Sequence, residues 1–276
     1  MSESISNEML ANTAKWMAAV RGRESSREDR LFNDPWAIDL AGEEGAKWIV
    51  DRSSESVIPI VVRVRYFDEF LLRVTSDHQA RQVVLVGAGL DTRCWRLHWM
   101  DGTRVYELDQ PFVLKYKEEV MKSKEVKPRC ERQPVGVYIQ ESWGKALESE
   151  GFQPDQPSIW LLEGFLFYLD PSQIDSVLKE VTKLASPGSW MGFDIINSEV
   201  LKSTYTKPWL EMQARLGAPW IGTMDDPIGL LGSMGWSAFI TQGGHPGVNF
   251  NRWVLPVYPV DMPGMPHSWL VTAEKI

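Results

Sequence analysis

From position 82 onward the chain repeats one device, an apolar run of strand length followed by a stretch long enough for a helix. The runs lie at 82–87, 103–108, 134–139, 157–163 and 189–195, with two further strand candidates at 236–242 and 267–273. Strands alternating with helices imply an α/β fold with a mainly parallel sheet, covered by helices on both faces. The clearest helix is 171–186. Asp170 is placed to cap it and Pro171 to start it, Ile174, Val177, Leu178, Val181 and Leu184 form one face, and "SPG" ends it. A chain of 276 residues allows one large domain or two small ones. No internal repeat or low-complexity linker divides it, so 1–276 reads as one domain.

Ahead of the first strand the pattern is helical. Met9, Leu10, Ala14, Met17 and Val20 have helical spacing within 6–20. The charged stretch "RGRESSREDR" reads as loop or solvated helix. "DPWAIDLAG" reads as a short helix with Asp34 as cap and Pro35 at its first position. Residues 57–76 read as a helix interrupted near Pro59. The stretch 197–235, rich in Trp, Pro and Gly, breaks the alternation and reads as an inserted lid.

The net charge of -8 leaves no basic surplus for a nucleic acid or an anionic membrane surface. Two cysteines, Cys94 and Cys130, are too few for a disulfide framework and point to a reducing, cytoplasmic setting. No leader pattern and no apolar run of spanning length is present. Thirteen Trp is a high count, and since the indole N–H wants a partner, some are expected to line a pocket.

Chemistry concentrates in "VVLVGAGLDTRCWRL", Val83 to Leu97. Ligands of parallel sheets bind beyond the carboxyl ends of the strands. Gly87 and Gly89 sit at such an end, where glycine permits positive φ and close backbone approach. Glu107 and Asp109 end the next strand in "VYELDQP", where an acid can accept from both hydroxyls of a ribose. In a regular strand the two share a face. The pair of motifs indicates an adenosine-containing cofactor, the competing reading being a tight structural turn. A dinucleotide fingerprint needs a third glycine where Thr92 stands, and Asp91 would oppose a pyrophosphate. S-adenosylmethionine carries a sulfonium and an ammonium and no pyrophosphate, so the acidic turn favours it over NAD.

These stretches, with "IWLLEGFLFYL", "REDRLFNDPWA" and "RVRYFDEFL", resemble the leucine carboxyl methyltransferase family of class I S-adenosylmethionine-dependent enzymes. "GAPWIGTMDDP" and "GMPHSWLV" resemble the branch that includes the polyketide carboxyl methyltransferase of tetracenomycin biosynthesis. The resemblance implies a Rossmann-like seven-stranded sheet with its last strand antiparallel. It also implies a cover made from an N-terminal cap, 1–76, and the 197–235 insertion. It places Gly87 and Gly89 against the methionine and ribose portions of the cofactor. It makes Asp109 the ribose acid, with Glu107 as the alternative, and puts Glu163 near the methionine part. Arg63 matches the segment that supplies an arginine for the cofactor carboxylate. Arg65 is two residues on, and only one of the two is expected to serve. Either could instead form a surface ion pair with Asp68 or Glu69. The family often has Asp-Leu after the third strand to read adenine. Here Tyr138 and Ile139 take those places, and Gln140 or Glu141 could substitute.

The implied activity is O-methylation of a small natural-product acceptor at a carboxylate. Methylation of a phenol or hydroxyl, methylation of a protein C-terminal carboxyl, and a non-catalytic cofactor-binding regulator remain alternatives. No Ser-His-Asp order, H-E-x-x-H or C-x-x-C supports hydrolysis or a metal centre. His245 in "GGHPG" and His267 in "MPHSW" are candidate bases, and each could equally be a plain polar residue. Tyr205, Trp209 and Trp220 are candidates to line an acceptor pocket, or to pack the lid on the core.

Overall fold

The computed structural model describes residues 7–78, 80–139 and 141–276. Three helices open it, α1 (Asn7–Ser25), α2 (Ala37–Val50) and α3 (Ile58–Asp77). The alternation then runs β1 (Gln82–Val86), α4 (Arg93–Arg96), β2 (Arg104–Asp109), α5 (Pro111–Ser123), β3 (Glu131–Gly136), α6 (Trp143–Ser149), β4 (Ser158–Leu162), α7 (Pro171–Leu184) and β5 (Trp190–Ile196). Short helices α8 (Ser198–Lys202), α9 (Lys207–Arg215) and α10 (Pro227–Ser233) precede β6 (Trp236–Gln242) and β7 (Ser268–Lys275).

The strands form one sheet in the order β3-β2-β1-β4-β5-β7-β6. Strands β1 to β5 are parallel, and β7 runs antiparallel to both β5 and β6. This is the seven-stranded, mostly parallel sheet expected, with its last strand antiparallel. All five residues of β1 and of β4 are buried, as central parallel strands require. One apolar cluster gathers Val84, Tyr106, Trp160 and the inner face of α7, and another gathers Val83, Ile159, Phe67 and Leu71 of α3. The chain winds one way from β1 to β3 and the other way from β4, so the order reverses between β1 and β4. A crevice opens at the carboxyl ends of those two strands. Among the described residues no helix is long and apolar enough to cross a membrane.

Helix α7 forms as its sequence dictates. Asp170 Oδ1 accepts from the N–H groups of Ser172 and Gln173, both at 2.9 Å, and Gln173 Oε1 accepts from Asp170 N at 2.9 Å. The five apolar residues of its inner face are buried. Asp170→Ala removes this reciprocal cap and should cost about 1 kcal/mol, within the usual range for N-caps. Urea unfolding of the two proteins measures it.

Other local expectations need correction. Pro59 does not interrupt α3, because it lies in the first turn, where its missing N–H removes no helical bond. Asp34 does not cap α2. Its carboxylate turns inward, accepting from Arg21 Nε at 2.8 Å and Thr92 Oγ1 at 2.6 Å, and α2 starts beyond it without a side-chain cap. Rather than ending at Gly42, α2 kinks there (φ +58°) and continues to Val50. The charged stretch 21–30 is not wholly solvated, since Arg21 and Glu24 are buried and α1 continues to Ser25. Met9 and Leu10 lie outside the residues whose side chains are described.

The third strand begins three residues earlier than its apolar run suggested. Ion pairs hold it to β2, Arg104–Glu131 at 2.6 Å and Arg132–Glu107 at 2.9 Å. Pro134 is tolerated within it because β3 is an edge strand.

Candidate cofactor site

The turn after β1 is held by β2. The N–H groups of Gly87 and Ala88 donate to Leu108 O at 2.9 and 3.0 Å, and Gly89 N donates to Asp109 Oδ2 at 2.6 Å. Gly87 and Gly89 have φ of +69° and +48°. A Cβ at Gly87 would stand 2.6 Å from the Phe165 ring, so both φ and space demand glycine there. The turn forms one wall of a cavity at the switch point. Helix α1 adds Ala14, Met17 and Arg21, α3 adds Arg63, and the end of β4 adds Glu163 and Gly164.

An ion-pair network runs behind this cavity. Arg63 Nε donates to Glu163 Oε1 at 3.0 Å and its Nη1 to Asp194 Oδ2 at 2.8 Å, while the nearest partner of Nη2 is the Met17 sulfur at 3.9 Å. Burial opposes the charge on Arg63, but Asp194 and Glu163 more than offset it and hold the guanidinium above its ordinary value. Asp194 Oδ1 accepts from Gly164 N at 2.6 Å. Burial raises the Asp194 carboxyl above its usual value despite Arg63. Arg93 donates to Glu163 Oε2 and to Asp68 Oδ1, each at 2.7 Å, and to Asp91. Burial works against ionised Asp91, yet Arg93, Arg96, Arg21 and Lys117 bring its carboxyl down to about 2.

The network tests the fit to a cationic ligand. Four carboxylates (Asp68, Asp91, Glu163, Asp194) face three guanidiniums (Arg63, Arg93, Arg96). The neighbouring Arg21–Asp34 pair is balanced. Lys117 also acts on Asp91, and each of the four acids has an arginine partner, so the wall carries ionised carboxylates that are individually paired. A sulfonium with an ammonium is attracted by the Asp91 and Glu163 carboxylates at the cavity wall, a pyrophosphate is repelled by them, and Arg63 Nη2, bonded to no oxygen, can meet a carboxylate. The residues present fit S-adenosylmethionine.

The structure sorts the expected site residues. Arg63 lines the cavity, whereas Arg65 is half-buried away from it, paired with Glu69 at 2.6 Å and donating to Leu31 O at 2.7 Å. Asp109 is half-buried behind the glycine turn and does not itself line the cavity, though it bonds the lining residue Gly89; burial raises its carboxyl despite the N–H groups of Gly89 and Gln110. Glu107 is fully enclosed, paired with Lys117 at 3.0 Å and Arg132 at 2.9 Å, and does not line the cavity. Lys117 also donates to the Asp91 carbonyl at 3.2 Å, so Glu107 supports the turn from behind. Sharing a strand face with Asp109 did not give it the same surroundings, because α5 covers that stretch of β2.

Val137 N donates to the Asp109 carbonyl, which sets Tyr138 and Ile139 at the same end of the sheet. Tyr138 is exposed and Ile139 packs against the core. Gln140 lies outside the described residues. Trp220 packs on Phe167 at 4.5 Å and on Trp209 at 5.9 Å, while Tyr205 is 74% exposed. His245 is exposed, with Nδ1 3.1 Å from Pro246 O. His267 is buried against Trp269, with Nδ1 3.0 Å from Gln242 Oε1. Because Gln242 Nε2 donates to Tyr258 O, its Oε1 must accept, which places the proton on Nδ1 and leaves Nε2 without a partner. Sequence reasoning gave no role to Arg21, Arg93 or Asp194. A lone Asp in the apolar run "MGFDII" was the available signal, since a buried carboxylate needs a partner.

A model of the leucine carboxyl methyltransferase family matches residues 14–182. A protein of Mycolicibacterium gilvum named "Putative S-adenosyl-L-methionine-dependent methyltransferase" is 34% identical over 250 residues, 83% of each chain. One of Saccharopolyspora erythraea with the same name is 39% identical over 197 residues, 67% of each chain. A solved structure from Thermobifida fusca, described as a "putative methyltransferase", superposes with a TM-score of 0.62 at 15% identity, covering 95% of this chain and 94% of that one. An O-methyltransferase family protein of Burkholderia thailandensis gives 0.54 at 14% identity, covering 87% and 61%. The two structures speak for the fold, and the family match and the sequence relatives speak for descent. The chain belongs to the leucine carboxyl methyltransferase family of class I S-adenosylmethionine-dependent methyltransferases.

Proposed function

We propose that this chain methylates an oxygen of a small natural-product acceptor, and that the oxygen belongs to a carboxylate. S-adenosylmethionine supplies a methyl group already activated on a sulfonium. The chain's own part is to bind, align and exclude water. In this reading Gly87 and Gly89 admit the cofactor close to the backbone, Asp109 accepts from its ribose, Arg63 meets its carboxylate and Glu163 faces its ammonium. Tyr138 and Ile139 border the adenine, and the segments 1–76 and 197–235, with Trp209 and Trp220, form the cover.

One observation carries the choice of oxygen. Among the described residues lining the cavity there is no histidine, and each carboxylate is already paired with an arginine. An acceptor that must lose a proton finds no free base there. A carboxylic acid, with a pKa near ~4, arrives ionised at neutral pH. The unpartnered Nε2 of His267 favours a second reading, base-assisted methylation of a hydroxyl.

The test uses methyl-labelled S-adenosylmethionine with panels of small carboxylic acids, phenols and peptides bearing free C-terminal carboxyls. The expected product is formed from a small acid and releases labelled methanol in mild base, as a methyl ester does. A base-stable label on a phenol would establish the second reading. A labelled peptide would move the acceptor to protein carboxyls.

A further inference from the structure

We propose that Arg93 is a positioning residue of the methyltransferase, fixing the carboxylates of Glu163 and Asp91 in place at the wall of the cofactor cavity. This rests on the reading that those two acids border the bound cofactor. Arg93 is 2% exposed and enters from the first turn of α4. Its three side-chain nitrogens go to three elements, Nε to Asp68 on α3, Nη1 to Asp91 in the glycine turn and Nη2 to Glu163 after β4. Its own N–H donates to Asp91 Oδ1 at 2.6 Å, so Asp91 is gripped twice. Asp68, on the side away from the cavity, is also held by Arg96.

Only a planar guanidinium offers three donors diverging at fixed angles, and a lysine at this position would satisfy one acid at a time. A buried network of this kind is rarely the cheapest way to stabilise a core. What it provides here is orientation. Glu163 is clamped between Arg63 and Arg93, one oxygen on each, and can turn toward neither Asp194 nor the solvent. Arg93 ties the glycine turn to the segment after β4, both of which line the cavity.

The experiment compares Arg93→Met, Arg93→Lys, Asp68→Asn and Glu163→Gln with the wild type. Binding of S-adenosylhomocysteine is measured by calorimetry from pH 5 to 8, alongside thermal unfolding. In Arg93→Met the dissociation constant should rise roughly 10- to 100-fold, the loss expected for a charged hydrogen bond. It should also become pH-dependent, weakening toward pH 5. Asp91 then loses the cation that does most to hold its carboxyl down, and Glu163 keeps Arg63 as its one facing cation. Wild-type binding should stay flat over the same range. Arg93→Lys should restore the flat profile and only part of the affinity. Asp68→Asn, buried on the far side of the network and outside the cavity lining, should lower the melting temperature while changing the dissociation constant much less than Arg93→Met.

A purely structural Arg93 would lower the melting temperature with no change in affinity or its pH profile, and that result overturns the proposal. If Arg93→Met does not fold, Arg93→Lys decides, since affinity equal to wild type overturns the proposal and a loss of roughly fivefold or more supports it. Should Glu163→Gln weaken binding while both Arg93 variants bind normally, the proposal fails and the cofactor reading stands. Normal binding by Glu163→Gln, or none by the wild type, overturns both.

Discussion

Asp109→Ala weakens S-adenosylhomocysteine binding by about 1.5–3 kcal/mol, the range for hydrogen bonds to a charged group, while the protein stays folded. Glu107→Ala gives the opposite pattern. Asp109 is half-buried and bonded only to backbone N–H groups, at 2.6 and 2.7 Å, so losing it strands no cation. Glu107 is fully buried between Lys117 and Arg132, and its removal strands the buried Lys117 ammonium and leaves Arg132 with Glu118 alone. Breaking a buried pair from one side costs about 3–5 kcal/mol. The melting temperature should fall on the order of 10 °C, with affinity changed less than in the Asp109 variant. Calorimetric titration and a thermal scan of both proteins check this. An Asp109 variant that binds like wild type, beside a Glu107 variant that loses affinity at unchanged stability, would reverse the assignment.

Asp109 also carries a stability signature. Burial raises its carboxyl in the folded state, so its contribution to folding is most favourable below the unfolded value and is lost as pH rises through the folded one. At neutral pH the unliganded protein bears that cost. It is the expected mark of a group kept for a ligand rather than for the fold.

The sheet was legible because strand periodicity is local. Apolar runs at 82–87 and 157–163 became β1 and β4, both fully buried, and two glycines marked the crevice between them. The start of β3 escaped because its first three residues, Glu131, Arg132 and Gln133, are polar, and two of them meet β2 through ion pairs; only from Pro134 and the buried Val135 does the strand look apolar. Asp34 was misread for a related reason. Asp-Pro is a sound cap signal, but a carboxylate 13 residues from Arg21 and 58 from Thr92 found stronger partners in three dimensions.

The same limit governed the site. Each expected cofactor residue was identified from its own short motif, and the motif says which atoms a residue offers. It does not say what else competes for them. Arg63 and Glu163 are 100 residues apart, Arg63 and Asp194 are 131 apart, and Arg93 and Glu163 are 70 apart. No spacing rule connects such pairs. Their consequence, one arginine-linked network of acids at the cavity wall, is visible only once the sheet has brought α3, the glycine turn and β5 together.

The rate of methyl transfer to the true acceptor should be nearly flat from about pH 6 to 9, and His245→Ala and His267→Ala should each lose less than roughly tenfold, below the 10²–10⁴-fold typical of a general base. A carboxylate is ionised throughout that range and needs only desolvation and alignment. His245 is exposed and bonded to its own turn, so its loss should be silent. His267 is the sharper test, because its tautomer is fixed and its free Nε2 is the atom a base would use. Burial lowers its pKa, so as a base it would give a rate rising through a pKa below the ordinary 6.5. The same shift means that folding stability is present above about 6.5 and falls as pH drops and the ring is forced to charge. A fall in rate at low pH is therefore not by itself catalytic. Single-turnover rates must be read beside the folded fraction at each pH, for wild type and both variants. If the folded fraction holds while the rate drops with acid, and His267→Ala removes most of the activity at pH 8, the acceptor is a hydroxyl and His267 takes its proton. If the rate follows only the folded fraction, the acceptor brings its own negative charge.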